Sequence, residues 1–219
     1  MALDILEVEP HGEADAAVIW LHGLGACASD FEGFVPALRL PDSLKVRFIF
    51  PNAPQIPVTV NSGYVMPAWY DIFALSETRE INEDQFYVSV AEIRALIDRE
   101  VDRGISSERI VLAGFSQGGA VAYHTALSDT RRLAGLLALS TYVANPKSIS
   151  LNSINANIPI LVCRGLNDSM VTQAMMKHVL DVMETLSLSP LVKTYAMEHE
   201  VCVAEIKDIS AWLQECLCL

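Results

Sequence analysis

"LAGFSQGGAVAYHTAL", residues Leu112 to Leu127, sets a polar Ser116 among Gly114, Gly118 and Gly119. The apolar run "RIVLAG" (Arg109 to Gly114) leads into it and a helix-like run follows. Glycine costs stability inside regular structure, so three around one serine imply a backbone held in an unusual shape. Gly114-Phe115-Ser116-Gln117-Gly118 is G-x-S-x-G between a predicted strand and a predicted helix, the setting of a nucleophile elbow. In that reading the serine takes a strained conformation that stands its Oγ clear of the sheet edge. Side chains two residues to either side would collide with the tight turn, which calls for glycine at both positions. The Gln117 N–H then lies at a helix N-terminus, aimed at developing negative charge. An ordinary strand-to-helix turn that happens to hold a serine is the plainer alternative.

Outward from the elbow, short apolar runs recur: "AVIWL" (Ala17 to Leu21), "VRFIF" (Val46 to Phe50), "LAGLLALS" (Leu133 to Ser140), "IPILVC" (Ile158 to Cys163) and "LVKTYAM" (Leu191 to Met197). Most are too short for helices and continuous rather than alternating, as buried parallel strands are. Helical patterns lie between several of them. In "NEDQFYVSVAEIRALIDREVDRG" the residues Phe86, Val90, Ile93, Ile97 and Val101 recur every three or four positions. Asn82 and Gln85 resemble a capping box, and Gly104 is placed to end the helix. Further helices are expected over Thr172 to Leu186 and Val203 to Leu217. This rhythm predicts an α/β fold, a mostly parallel central sheet with helices on both faces.

The chain has 219 residues, 52% of them hydrophobic, enough for one domain with a sizeable core and too apolar for disorder. Its formal net charge of -12 argues against binding nucleic acid or an anionic membrane through a basic patch. No apolar run approaches the roughly 18 residues of a membrane helix, so no integral membrane association is expected. The acidic start "MALDILEVEPHGEAD" is unlike a secretory signal. Five cysteines without ligand spacing are expected as reduced thiols in a cytoplasmic protein, with no metal or cofactor. A homodimer is left open.

A serine nucleophile needs a base, and a base needs an acid. Of the five histidines, His11 precedes the first parallel strand, His124 lies two turns along the elbow helix, and His178 is expected on a solvated helix face. His22 ends the first strong strand. His199 follows the last strand, at the carboxyl end of the sheet where sites gather in open α/β folds. Asp168, in "RGLNDSMV" just past another strand, is the matching acid; Asp129 and Asp181 sit on helical segments, and Thr172 is the better cap for the helix that follows. The order Ser116, Asp168, His199 is that of serine, acid and histidine in hydrolases. The glycine-rich "WLHGLGA" can supply a second oxyanion donor, the Leu24 N–H beside that of Gln117, with His22 bracing the loop. Residues 51–81 show no clean period yet carry four prolines and many apolar side chains, which predicts a lid or a loop tucked on the core.

"VIWLHGLGA", "FPNAP", "PVTVNSGYVMPAWYDI", "ERIVLAGFSQGGAVAYHTAL", "LALSTY" and "MEHEVCVAEIKDISAWL" closely resemble the carboxylesterase and acyl-protein thioesterase family of α/β-hydrolases, over roughly Ala16 to Leu217. The resemblance implies hydrolysis of an acyl ester or thioester substrate, with Ser116, Asp168 and His199 as triad and Leu24 and Gln117 as oxyanion hole. It also implies that residues 51–81 cover an acyl channel walled by Met66, Trp69 and Ile72, with Val171 as a further wall residue. Lysophospholipase action, or a non-catalytic binder of acyl ligands on the same fold, are the alternatives.

The chain departs from the family pattern in places. Arg164 stands where the family usually has histidine, and could compete for Asp168. Glu200 stands where serine usually follows the base, and a carboxylate there would favour the imidazolium. Ala26 and Cys27 replace an acidic and a small residue; Cys27 is expected as a packed thiol. Cys216 to Leu219 formally match a prenylation box, but with no polybasic stretch before them a frayed amphipathic helix end is the favoured reading.

Overall fold

The computed structural model describes residues 3–77 and 79–217. In chain order the elements are β1 (Ile5–Val8), β2 (Ala16–Leu21), α1 (Ser29–Glu32), α2 (Val35–Leu38), β3 (Val46–Pro51), β4 (Gln55–Val58), β5 (Tyr64–Pro67), β6 (Ile72–Ala74) and β7 (Glu80–Ile81). They continue with α3 (Glu83–Asp102), β8 (Ile110–Phe115), α4 (Gln117–Ser128), β9 (Gly135–Leu139), β10 (Ile160–Gly165), α5 (Gln173–Thr185), β11 (Leu191–Tyr195) and α6 (Val203–Leu217).

Seven strands form the central sheet in the order β1-β3-β2-β8-β9-β10-β11. Only β1 runs antiparallel to its neighbour; the other pairings are parallel. The expected fold class is therefore the one observed. Every residue of β2, β9 and β10 is buried, which explains why these strands read as continuous apolar runs. Side chains alternate between two cores. Ile110 and Leu112 of β8 join the core under α3, α4 and α5, while Val111 and Ala113 join the core under α1, α2 and α6.

The expected helices are present. Asn82 caps α3 by accepting from the Gln85 N–H, and Gly104 follows its end at φ 97°. The reciprocal arm of the box is diverted: the Gln85 side chain accepts from the Asp71 N–H at 2.7 Å, tying the helix to the segment before it. Thr172 caps α5 by accepting from the Met175 N–H.

The stretch 51–81 is more ordered than its sequence suggests. β4 and β5 form an antiparallel hairpin, and β6 and β7 a second pair. Strands of two to four residues interrupted by prolines leave no readable period. The Asp71 carboxylate binds the hairpin back, accepting from the Thr59 N–H at 2.7 Å and the Thr59 hydroxyl at 2.6 Å. At the other end of the chain α6 runs through Leu217; Cys218 and Leu219 of the prenylation-like box lie outside the described residues. Among the described residues no helix is long and apolar enough to cross a membrane.

Candidate active site

Ser116 follows β8 and adopts φ 51°, ψ -118°. A β-carbon at Gly114 would lie 2.6 Å from the Gly118 backbone, and one at Gly118 would lie 2.4 Å from the His22 carbonyl. At Gly119 the obstacle is the Thr141 side chain, 2.5 Å away. The elbow exists because three backbones meet where a methyl group has no room. The Ser116 carbonyl accepts from the Thr141 hydroxyl at 2.6 Å, and its N–H donates to the Leu139 carbonyl at 3.0 Å, so both neighbours of the strained residue are pinned.

His199 Nε2 lies 3.0 Å from Ser116 Oγ, and His199 Nδ1 lies 2.8 Å from Asp168 Oδ2. The imidazole rests on the Phe115 ring, with centroids 4.7 Å apart. Asp168 is buried, and its other oxygen accepts from the N–H groups of Met170 and Val171, each at 2.8 Å. Burial works against the charged carboxylate, but the hydrogen bonds from His199, Val171 and Met170 outweigh it and hold its pKa below the usual value. The loops that carry Asp168 and His199 are sewn together: the N–H groups of Leu166 and Asn167 donate to the carbonyls of Tyr195 and Met197. Gly165 permits this approach, since a β-carbon there would lie 2.2 Å from the Glu198 carbonyl oxygen.

The Leu24 N–H makes no hydrogen bond among the described residues, and Leu24 lines a cavity of about 300 Å³ together with Ser116, Gln117 and His199. Gln117 holds the 51–81 segment: its Oε1 accepts from the Trp69 N–H at 2.9 Å and its Nε2 donates to the Tyr70 carbonyl at 2.7 Å. His22 braces the neighbouring loop. Its Nδ1 contacts the Gly23 carbonyl at 2.7 Å and its Nε2 accepts from the Ala53 N–H at 3.0 Å. Burial lowers its pKa, which suits a neutral ring.

The wall residues divide. Ile72 lines the cavity. Met66 is not among its lining residues; its sulfur accepts from Asn61 Nδ2 at 3.2 Å. Trp69 does not face the cavity: the indole is fully buried, and its Nε1 donates to the His22 carbonyl at 2.8 Å, an acceptor found only inside. Val171 is likewise buried in the core with α5, and what it offers the site is its N–H to Asp168. The cavity is instead completed by Ala26, Asn61, Leu75, Arg79, Phe115, Tyr142 and Met170. Of these, Arg79 had a signal in the sequence, a lone basic residue in the acidic "SETREINED".

Arg164 makes no ion pair with Asp168; its Nε donates to the Gly165 carbonyl at 3.3 Å, and both carboxylate oxygens are already engaged. Glu200 is exposed and makes no hydrogen bond to His199. Cys27 is half-buried, with its sulfur 3.1 Å from the Ser29 hydroxyl. His124 packs edge-on against Phe86, its pKa lowered to about 4 by burial and by Arg94. His178 is half-buried rather than solvated. Among the described residues no three His, Cys, Asp or Glu side chains are grouped to hold a metal ion.

A mostly parallel sheet with an elbow serine at the end of a central strand defines an α/β-hydrolase. The phospholipase/carboxylesterase family matches residues 4–217, and the chain belongs to that family. It is 36% identical to acyl-protein thioesterase 1 of Neurospora crassa over 91% of this chain and 86% of that protein. It is 35% identical to acyl-protein thioesterase 1 of Cryptococcus neoformans over 99% of this chain and 98% of that protein. The crystal structure of Zea mays acyl-protein thioesterase 2 superposes with a TM-score of 0.86 at 26% identity, covering 98% of this chain and 99% of that one. The chain is thus an enzyme, a serine hydrolase of esters.

Proposed function

We infer that Ser116, His199 and Asp168 are the catalytic triad with which this enzyme hydrolyses carboxylic esters and thioesters, short- to medium-chain acyl esters and acyl-protein thioesters among them. The observation that carries this is the continuous relay from Oγ through imidazole to carboxylate, at 3.0 and 2.8 Å. His199 Nε2 takes the Ser116 proton as Oγ attacks the acyl carbonyl, and Asp168 holds the ring and favours the imidazolium. The Leu24 and Gln117 N–H groups receive the oxyanion. The imidazolium then protonates the departing thiolate or alkoxide, and water, activated by the same ring, releases the acid. Residues 51–81 act as the lid of an acyl site, since Asn61, Ile72 and Leu75 from that stretch wall the cavity beside the serine. The names of the fungal and maize relatives support the thioester side of the reading. The enzyme works without a metal or cofactor, in the cytoplasm.

A fluorophosphonate probe should label the native chain covalently at Ser116 and leave Ser116→Ala unlabelled. Ser116→Ala and His199→Ala should each lower kcat on a 4-nitrophenyl ester by about 10⁴–10⁶, and Asp168→Asn by about 10⁴. A chain that binds acyl esters but takes no label would be the non-catalytic binder.

A further inference from the structure

Ester hydrolysis leaves one feature of the cavity unexplained. Arg79, between β6 and β7, is only 8% exposed and lines the cavity together with Ser116 and His199. Arginine is rarely buried so deeply without a partner of opposite charge. Its nearest acidic neighbours in sequence, Glu77 and Glu80, are both exposed, and no carboxylate among the described residues forms an ion pair with it. Among the described residues its side chain makes one hydrogen bond, Nη2 to the Met170 carbonyl at 2.7 Å, and the guanidinium lies over the Tyr142 ring, 5.2 Å from the centroid. Nε is buried with no acceptor among the described residues. Tyr142 cannot compensate, because its hydroxyl is tied to that of Tyr70 at 2.8 Å.

A strut that only had to hold the Met170 carbonyl would need one neutral donor. This chain instead keeps a permanent cation at a cavity whose walls away from the serine are largely apolar, with Leu24, Ile72, Leu75, Phe115 and Met170 beside Asn61 and Tyr142. A guanidinium in such surroundings is completed by a planar anion, and a carboxylate matches its fork. The overall charge of -12 would otherwise repel anionic substrates, so a cation at this spot acts as a selective exception.

We propose that Arg79 is a specificity residue for esters or thioesters that carry a carboxylate a few bonds from the scissile carbonyl. The proposal rests on the hydrolase reading above. The carboxylate can belong to the acyl group, as in a half-ester of a dicarboxylic acid, or to the leaving group, as in an ester of a hydroxy acid. In either case Arg79 pairs with the anion while the carbonyl sits against Ser116. Without the arginine, a carboxylate in this apolar cavity would be penalised by lost hydration.

Two matched pairs of esters, followed by pH-stat, test this. Monoethyl glutarate against ethyl pentanoate changes only the acyl terminus. The pentanoyl ester of 4-hydroxybutyrate against butyl pentanoate changes only the leaving group. The native enzyme should give a kcat/KM ratio of anionic to neutral ester above one in at least one pair, and that pair identifies which side bears the anion. Arg79→Gln should lower that ratio by about tenfold or more, and Arg79→Lys, which keeps the charge but loses the fork, by less. Ratios below one in both pairs for the native enzyme, or a ratio that Arg79→Gln leaves unaltered, would overturn the proposal. If Arg79→Gln does not fold, the native ratios decide. Failure of the native enzyme on all four esters would instead sink the hydrolase reading itself.

Discussion

At the scale of single residues, two groups hold states that an isolated side chain would avoid. Ser116 takes a backbone conformation that costs of order 1–3 kcal/mol, and bonds from Thr141 and to Leu139 keep it there. The second group is Glu205, in the first turn of α6 and fully buried. One of its oxygens accepts from the Cys202 N–H at 3.4 Å and the other meets no hydrogen-bond donor within bonding geometry among the described residues. Burial pushes its pKa up from 4.5 to about 7, with Asp208 adding to the rise and the Cys202 N–H and Cys163 opposing it. The folded state therefore holds this proton more tightly than the unfolded chain does. The stability this gives is complete below about pH 4.5 and is lost as pH rises through about 7. Glu205→Gln should consequently gain stability over the native chain at pH 8 and little at pH 5, the gap reaching about 2–3 kcal/mol. Urea unfolding at a series of pH values measures this; a gap that does not change with pH would mean the carboxyl ionises normally.

At the scale of elements, the stretch 51–81 does two jobs with different residues. Trp69 and Tyr70 are its inner face, locked to Gln117, His22 and the Ser89 hydroxyl. Leu75 is 59% exposed and faces the cavity. Truncating each separates packing from substrate contact. Trp69→Ala should destabilise the fold by about 3–5 kcal/mol, seen as a large drop in Tm. Leu75→Ala should leave Tm nearly unchanged and lower the ratio of octanoyl to acetyl ester kcat/KM by about fourfold or more, since each methylene kept from water is worth about 0.8 kcal/mol. An equal loss on both esters from Leu75→Ala would remove this segment from the acyl site.

Across the whole molecule, the edge strand β1 is joined to α3 and β3 by charge. Glu100 of α3 is buried and meets Arg47 at 2.7 Å, Arg103 at 2.9 Å and Arg99 at 3.5 Å. Glu7 of β1 pairs with Arg99 and Arg103, and Glu9 just past it with Arg47 and Arg103. Three carboxylates and three guanidiniums alternate, so no like charges face each other unscreened. Glu100→Ala would leave three cations crowded around a buried gap. It should cost about 3–5 kcal/mol in denaturant unfolding, well above the loss from removing an exposed pair such as Lys177 and Asp181. A loss under about 1 kcal/mol would show that water replaces the carboxylate.

The sequence alone determined those features whose physics is local. Buried parallel strands must be apolar on both faces, so β2, β8, β9 and β10 were visible as runs. The elbow needs small residues at fixed offsets from Ser116, so Gly114 and Gly118 declared it. Asp168 and His199 followed because loops after parallel strands converge at one edge of the sheet. What the sequence could not carry was direction. Trp69 and Leu75 lie six positions apart in the same irregular segment. One turns inward because its N–H needs the His22 carbonyl, and the other stays at the cavity because nothing claims it. The family resemblance implies Val171 as a wall residue, whereas its side chain packs in the core and its N–H binds Asp168. Arg79 gained its meaning from Tyr142 and Met170, sixty-three and ninety-one residues away, and from the absence of an acid among the described residues around it. Contacts at that separation are chosen by the closing of the whole chain, which no local period encodes.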